Sequence, residues 1–260
     1  PKFLKKDGWY YILAPAGGVE TGWQVVMRSR NVYGPYEDKI VLAQGGTSIN
    51  GPHQGALVDT LDDGWWFLHF QDAGFYGRII HLQPVKWQEG WPVMGRNGEP
   101  VLRHKKPFIV ADQPLRTPQT SDEFDGERLG PQWQWHANHH DDWHSLTARP
   151  GWLRLYPQLA ASCLNRQPNL LLQKFPARHF AVETGLELSG LQAGEEAGLA
   201  VVGEKSARFG LQYDGLKNWL VLRQDDQPET RCEVASHKIK LRVEVGEGGR
   251  CSFSHAEAGG

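Results

Sequence analysis

The sequence lacks the features that mark nucleic-acid-binding and membrane-spanning proteins. Its 28 Lys and Arg residues are matched by 30 Asp and Glu residues, so there is no basic excess to neutralise phosphate groups. No apolar run approaches the roughly 18 residues that a transmembrane helix needs. The first residues show no signal-peptide pattern, because Lys5, Lys6 and Asp7 interrupt them at once. We therefore expect neither nucleic acid nor a membrane among the partners.

Cysteine is scarce as well. Cys163, Cys232 and Cys251 are odd in number and have no metal-ligand spacing, so we expect buried or incidental thiols and no disulfide framework. In contrast, the 11 Trp, 30 Gly and 16 Pro residues indicate an all-β chain with many turns. Tryptophan faces also stack on sugar rings, although core packing explains any single Trp more simply.

A repeat organises the first part of the chain. Asp7-Gly8-Trp9 and Asp63-Gly64-Trp65 lie 56 positions apart, and each joins the strands of a hairpin that is followed by a loop, a third strand and a turn. Repeats of this length and content are typical of propeller blades, which stack because a single hairpin cannot bury its faces. Two such units fill only residues 1–98, whereas a propeller closes with about four to eight blades. The sequence therefore predicts part of a propeller.

A second domain is predicted after a proline-rich segment. Repeated prolines mark residues 99–118 as a linker. From residue 119 to residue 260, alternating runs separated by turn signals favour a β-sandwich. Near Cys251 a new strand pattern begins just before the chain stops, so we expect this sandwich to be incomplete.

The stretch at residues 50–55 stands out for its chemistry. Small and turn-forming residues surround His53 and Gln54 directly before an alternating strand. From these residues alone, two readings stay open: a turn with one satisfied histidine, or polar groups directed into a binding site.

Four motifs follow each other along the second repeat: Gly51-Pro52-His53-Gln54-Gly55, Trp65-Trp66-Phe67-Leu68-His69-Phe70-Gln71-Asp72, Gly77-Arg78 and Gly90-Trp91-Pro92. They resemble the last blade region of glycoside hydrolase family 43, in particular of its β-xylosidase-like and arabinofuranosidase-like members. The opening Pro1-Lys2-Phe3 is similar to the segment at the end of the family's Glu-Gly-Pro motif. Asp122-Glu123-Phe124 resembles the start of the concanavalin A-like β-sandwich that ends such β-xylosidases.

The resemblance implies a fold and an activity. The fold is all-β: the last blades of a five-bladed propeller at residues 1–98, then an incomplete concanavalin A-like domain at residues 119–260, with the chain truncated at both ends. The activity is hydrolysis, with inversion, of xylose or arabinofuranose linkages in hemicellulose-derived glycans. Inversion needs two carboxyl groups about 6.5–9.5 Å apart, so that a water fits between the base and the sugar.

The resemblance places the catalytic carboxyl groups outside this chain. Pro1 matches the proline of Glu-Gly-Pro, so the general acid is expected just upstream of it, and the two family aspartates further upstream. We therefore expect no catalytic residue here and an inactive fragment of an active enzyme. The acidic residues that are present mostly occupy predicted hairpin turns and are poor substitutes. They are Asp7, Glu20, Asp59, Asp62, Asp63 and Asp72.

The resemblance also assigns binding residues. His53 matches the axial histidine of the family, which faces the channel and contacts a metal ion or its water. Calcium is the cofactor that this suggests, through water, because calcium prefers oxygen ligands. Arg78 matches an arginine that contacts substrate hydroxyls or a catalytic carboxylate. Gln54 and Gln71 are expected to hydrogen-bond sugar hydroxyls, so the predicted partners are xylo- or arabino-oligosaccharides.

The remaining histidines show no pattern of a catalytic or metal site. His69 and His81 alternate along strands, which favours a structural role. The cluster of His136, His139, His140 and His144 with Asp141 and Asp142 is interpreted as a solvated loop, because it lacks the geometry of a closed metal site. The alternative function is a non-catalytic carbohydrate-binding protein, which the Trp content and the lectin-like sandwich motivate. A scaffold propeller without a sugar site is the third reading.

Overall fold

A computed structural model describes residues 1–108, 111, 113–190 and 192–257. These residues form 19 β-strands and four short 3-10 turns, and no α-helix occurs among them. The predicted all-β fold is confirmed. The chain divides into two compact units, Pro1–Leu115 and Arg116–Gly260, whereas the domain limits at residues 98 and 119 stay a prediction. No helix in the described ranges has the length and apolar character to span a membrane.

The first unit begins with a four-stranded antiparallel sheet. Its strands follow chain order and are β1 (Lys2–Lys6), β2 (Trp9–Ala16), β3 (Trp23–Ser29) and β4 (Glu37–Leu42). The β1–β2 hairpin turns at Asp7 and Gly8, whose φ angles of 50° and 73° suit a two-residue turn that needs positive φ at both positions. The hairpin predicted from the Asp-Gly-Trp motif is therefore present.

The same pattern repeats in a second four-stranded sheet. Its strands, also in chain order, are β5 (His53–Asp59), β6 (Trp65–Asp72), β7 (Arg78–Gln88) and β8 (Trp91–Met94). A 3-10 turn at Gly74–Tyr76 lies between β6 and β7. Each sheet is the four-stranded meander of a propeller blade. The predicted repeat is therefore real, and each copy has one strand more than the sequence indicated.

The two blades share one hydrophobic core. Tyr11, Leu13 and Val26 of the first sheet pack in one cluster with Phe67 and Met94 of the second, and each is at most 2% exposed. The Tyr11 hydroxyl also donates a hydrogen bond of 2.8 Å to the Gly90 carbonyl. Because full burial of such a side chain stabilises a fold by about 1.5–3 kcal/mol, this shared core holds the blades together.

The second unit is a β-sandwich with short outlying strand pairs. Its strands are β9 (Gln134–Trp135), β10 (His144–Ser145), β11 (Arg154–Leu155), β12 (Leu171–Leu172), β13 (Phe180–Glu187), β14 (Glu196–Val201), β15 (Ala207–Tyr213), β16 (Asn218–Gln224), β17 (Thr230–Val234), β18 (Lys238–Val245) and β19 (Cys251–Glu257), with 3-10 turns at Asp141–Trp143, Leu164–Arg166 and Glu247–Gly249. A four-stranded antiparallel sheet, β14 to β17, and a three-stranded sheet, β13-β18-β19, enclose a core that includes Leu211, Leu220 and Leu241. Pairs β9–β12 and β10–β11 are only two residues long.

One face of the second blade is apolar and uncovered. Val58, Leu68, Ile80 and Leu82 lie on three adjacent strands of this sheet, and Leu68 is paired with Leu82 across β6 and β7. All four are exposed, and Ile80 is 67% exposed. An exposed apolar sheet face favours association with another surface.

A buried and a half-buried histidine, His69 and His81, pack side by side in the same blade. The His69 ring lies between Phe67 and His81, with ring centroids 5.8 and 5.5 Å apart and nearly parallel planes. His69 Nδ1 donates to the Phe70 carbonyl at 3.0 Å, while its buried Nε2 has no partner among the described residues. Burial lowers the pKa of His69 to about 4 and also lowers the pKa of His81. Both imidazoles are therefore neutral at pH 7 and pack as aromatic rings.

The apolar face should make the 260-residue chain self-associate. We expect the double variant Leu68→Lys with Ile80→Lys to sediment with a smaller weight-average mass than the unaltered chain, because two charges would be buried in any such contact. Sedimentation velocity measures this. The control is Leu61→Lys with Leu216→Lys, since these leucines are even more exposed but lie in turns outside the face. A monodisperse, cooperatively melting preparation of the unaltered chain would contradict the expectation.

His69 should make the first unit sensitive to acid. Since the pKa of His69 is lower in the folded state than the usual 6.5, the unfolded chain takes up the proton first, and stability is lost as the pH falls from about 6.5 towards 4. The full loss would be on the order of 3 kcal/mol. In His69→Phe the unfolding free energy should fall less steeply over this range, as urea melts of the full-length protein would show. Parallel curves for the two proteins would rule out this origin of acid sensitivity.

Candidate functional site

His53 is buried at the start of the second blade. It is 3% exposed, and its Nδ1 donates to the Gly51 carbonyl at 2.9 Å. This contact leaves Nε2 as the ring nitrogen available for other partners. The ring lies against Gly22, where a Cβ would come within 2.5 Å of Nε2. Gly22 in the β2–β3 loop thus leaves the room that the imidazole needs.

A β-bulge follows His53 and turns the chain into the sheet. The pairing with β6 shifts register between His53 and Ala56. Within the bulge, Gln54 has a φ of 60°, which is uncommon for a residue with a side chain. A Cβ at Gly55 would overlap the Leu68 carbonyl oxygen, so only glycine fits there. Bulges of this kind re-aim side chains at the ends of sheets.

Gln24 of the first blade supports the bulge, and the sequence analysis missed it. Its side chain is 1% exposed, and its Oε1 accepts the Gln54 backbone N–H at 3.1 Å. Its Nε2 donates to the carbonyls of Ala14 and Val25 at 3.1 and 2.9 Å. Gln24 shares the inward side of β3 with Val26, and a polar residue at such a position was the available signal.

Phe70 lies between His53 and Arg78, two of the residues that were predicted to bind substrate. The Phe70 ring lies 5.6 Å from the His53 ring, and the Arg78 guanidinium lies 4.6 Å from the Phe70 centroid. Arg78 is exposed at the first position of β7, the third strand of the blade. We call His53, Gln54, Phe70 and Arg78 the His53–Arg78 cluster. Phe70 was not predicted, although it precedes Gln71 in a motif that was noticed.

The two predicted glutamines differ in their surroundings. Gln54 is exposed, and its contact with Gln24 is made by the backbone. Gln71 is half-buried, and both ends of its amide are engaged: Nε2 donates to the Ser48 carbonyl at 2.9 Å, and Oε1 accepts from His81 Nε2 at 3.0 Å. Each end of the amide thus makes one hydrogen bond to the protein, and one N–H and one oxygen lone pair remain.

Few carboxylate contacts are made with the His53–Arg78 cluster. Asp62 lies in the β5–β6 turn, where the Thr60 hydroxyl donates to it and lowers its pKa. Asp72 pairs with Arg78 across the strands, but no salt bridge joins any carboxylate to Arg78 within the described ranges. In the same ranges, no three His, Cys, Asp or Glu residues are grouped as metal ligands.

The histidine-rich segment of the second unit forms an aromatic cluster. Trp135 stacks on His139 with centroids 5.4 Å apart and contacts His144 at the same distance. These rings border a cleft of about 500 Å³ that Trp133 also lines. His139 is exposed, as predicted for a solvated loop, whereas His144 is half-buried and its Nδ1 has no partner among the described residues.

Two family models match the chain. Residues 1–92 match glycosyl hydrolases family 43, and residues 121–260 match the beta xylosidase C-terminal concanavalin A-like domain. The second match alone spans more than half of the chain.

Individual proteins agree with these matches. A putative beta-xylosidase of Xylanibacter ruminicola is 45% identical over 221 residues, which are 83% of this chain and 41% of that protein. A non-reducing end alpha-L-arabinofuranosidase of Bacteroides ovatus is 30% identical over 81% of this chain and 42% of its own length. The crystal structure of a family 43 protein from Bacillus licheniformis is 25% identical, with a TM-score of 0.86 over all of this chain and 54% of that one.

The chain thus spans less than half the length of these curated relatives. Its two halves match in the order in which the family's blades and sandwich follow each other, and the fold agrees over the whole chain. The chain belongs to glycosyl hydrolase family 43, in the group that carries a concanavalin A-like C-terminal domain.

Proposed function

We propose that the full-length protein is an inverting glycosidase that removes xylose or arabinofuranose from hemicellulose-derived glycans, and that this chain supplies part of its substrate site. The observation that carries the proposal is the His53–Arg78 cluster at one end of the second blade. The names of relatives, a putative beta-xylosidase and an alpha-L-arabinofuranosidase, support pentosides as the substrate class.

Each member of the cluster has a chemical task in this proposal. The Arg78 guanidinium lies over the Phe70 ring, and in this proposal its N–H groups donate to sugar hydroxyls or to a catalytic carboxylate. His53 forms the floor beneath the sugar and offers Nε2 to a hydroxyl or a water. Gln54 projects its amide from the bulge and hydrogen-bonds a second hydroxyl. Binding sites hold a ligand in one orientation when buried residues fix the side chains whose exposed polar groups contact it.

The acid and the base come from outside this chain in the proposal. A carboxylic acid protonates the leaving oxygen, and a carboxylate activates the water on the opposite face of the sugar. Arg78 beside one of these groups would lower that group's pKa and keep it ionised. The fragment by itself is accordingly inactive.

Calcium fits this chain poorly as a directly bound ion. Calcium takes six to eight oxygen ligands, and no group of three or more His, Cys, Asp or Glu residues that could hold a metal ion occurs among the described residues. A calcium ion at the propeller axis would reach His53 only through water and would take its other ligands from elsewhere. No step of the proposed reaction depends on it.

Arg78 provides the test of the proposed function. In the full-length protein, Arg78→Ala should lower kcat/KM for 4-nitrophenyl β-xyloside or α-arabinofuranoside by about 10- to 100-fold, because charged hydrogen bonds of this kind contribute about 1.5–3 kcal/mol. Gln54→Ala should lower it by no more than about tenfold, since that hydrogen bond is neutral. The matched control is Arg103→Ala, an exposed arginine beyond β8, which should leave kcat/KM unchanged.

Two results would contradict the proposal in different ways. If the full-length protein binds xylo-oligosaccharides in a calorimeter but hydrolyses no pentoside, the non-catalytic carbohydrate-binding alternative is correct. If turnover is normal in both Arg78→Ala and His53→Ala, the His53–Arg78 cluster is a scaffold and the substrate binds elsewhere.

A further inference from the structure

We propose that Gln71 is a positioning residue, which fixes the loop before His53 against the strand that carries Phe70, and that it does not bind the sugar. The proposal rests on the proposed function, because it concerns the same site. It replaces the direct sugar contact that the sequence favoured for Gln71.

The amide of Gln71 can be oriented without ambiguity. The Ser48 partner is a backbone carbonyl, which only accepts, so the Gln71 NH₂ group must face it at 2.9 Å. Gln71 Oε1 then faces His81 Nε2 at 3.0 Å, and His81 must donate through Nε2. Exchange of the amide oxygen and nitrogen would place two acceptors together at Ser48. One side chain thus joins a strand to a loop in a single hydrogen-bonding arrangement.

His81 is itself held in place. Its ring stacks on the buried His69 ring with an interplanar angle of 18°, and that ring stacks in turn on Phe67. Burial keeps His81 neutral at pH 7 by lowering its pKa. With Nε2 protonated for Gln71, the neutral ring carries no proton on Nδ1. The row of three rings therefore gives Gln71 a fixed hydrogen-bond donor.

Gln71 lies between the two segments that carry the site, strand β6 with Phe70 and the loop that leads to His53. Phe70, the neighbour of Gln71 on β6, contacts the His53 and Arg78 side chains. Ser48 lies on the loop that enters β5, and the next residue, Ile49, is 1% exposed. The Gln71–Ser48 hydrogen bond and the buried Ile49 side chain therefore anchor the loop five residues before His53. Release of this anchor should let His53 move relative to Arg78.

Hydrogen exchange tests the anchor independently of activity. In the full-length protein, Gln71→Leu should speed amide exchange in residues 48–55 by roughly 3- to 10-fold, the factor expected for loss of one hydrogen bond. His81→Phe should have the same effect on the same residues. The matched control is Gln88→Leu at the exposed far end of β7, which should not change exchange in residues 48–55. Unchanged exchange in Gln71→Leu would overturn the proposal.

Kinetics distinguish positioning from sugar binding. Gln71→Leu and His81→Phe should each lower kcat/KM, up to about 100-fold, as a misplacement near 1 Å does. The double variant should be no worse than either single one, because both break one chain of contacts. Fully additive losses would show that Gln71 acts on the sugar separately from His81, which contradicts the proposal.

A conservative variant adds a pH signature. The ionised carboxylate of Gln71→Glu still accepts from His81 but repels the Ser48 carbonyl, whereas the protonated acid satisfies both. Its kcat/KM relative to wild type should therefore rise as the pH falls from 7 to 5, and that of Gln71→Leu should not. A ratio that does not change with pH for Gln71→Glu would count against the proposal.

The two proposals can fail independently. If the wild-type protein hydrolyses no pentoside, the proposed function fails, and the hydrogen-exchange result still decides the role of Gln71.

Discussion

The close approach of the Gly55 backbone to the Leu68 carbonyl is the constraint on which the candidate site depends. Because no side chain fits between these strands, the chain bulges at residues 54 and 55, and Gln54 takes a left-handed conformation. The bulge sets the direction in which His53 enters the sheet. His53 then packs on Phe70, and Phe70 supports Arg78. A backbone contact thus determines where the His53 imidazole and the Arg78 guanidinium lie.

Stacking of the blades is the second requirement, because part of the support for the bulge comes from the neighbouring sheet. Gln24 of the first blade accepts the Gln54 amide, and Gly22 makes room for the His53 ring. The core shared by Tyr11 and Phe67 holds the sheets at the separation that these contacts need. The site is therefore a property of two adjacent blades, and it would not form on an isolated hairpin.

The sequence predicted the parts of this structure that local patterns determine. Turn chemistry and strong alternation located the two Asp-Gly hairpins, and a loop and a third strand follow each hairpin as expected. The edge strands β4 and β17 were missed because charged residues such as Glu37, Asp38 and Glu233 obscure their apolar alternation, and β8 because it is short and contains Pro92. Gln24 and Phe70 depend on register between strands and sheets, which no local pattern reveals. His53 and Arg78 came from the family resemblance; the structure places them beside the same ring.

The central claim is that the His53–Arg78 cluster holds the sugar while carboxylates outside this chain perform the reaction. A crystal structure of the full-length protein with bound xylose or arabinose tests it most directly. The account predicts a pentose within hydrogen-bonding distance of the Arg78 guanidinium and in contact with His53 or Gln54, with two carboxyl groups about 6.5–9.5 Å apart on either side of its anomeric carbon. A pentose bound away from Arg78 and His53, with the cluster empty, would contradict the account.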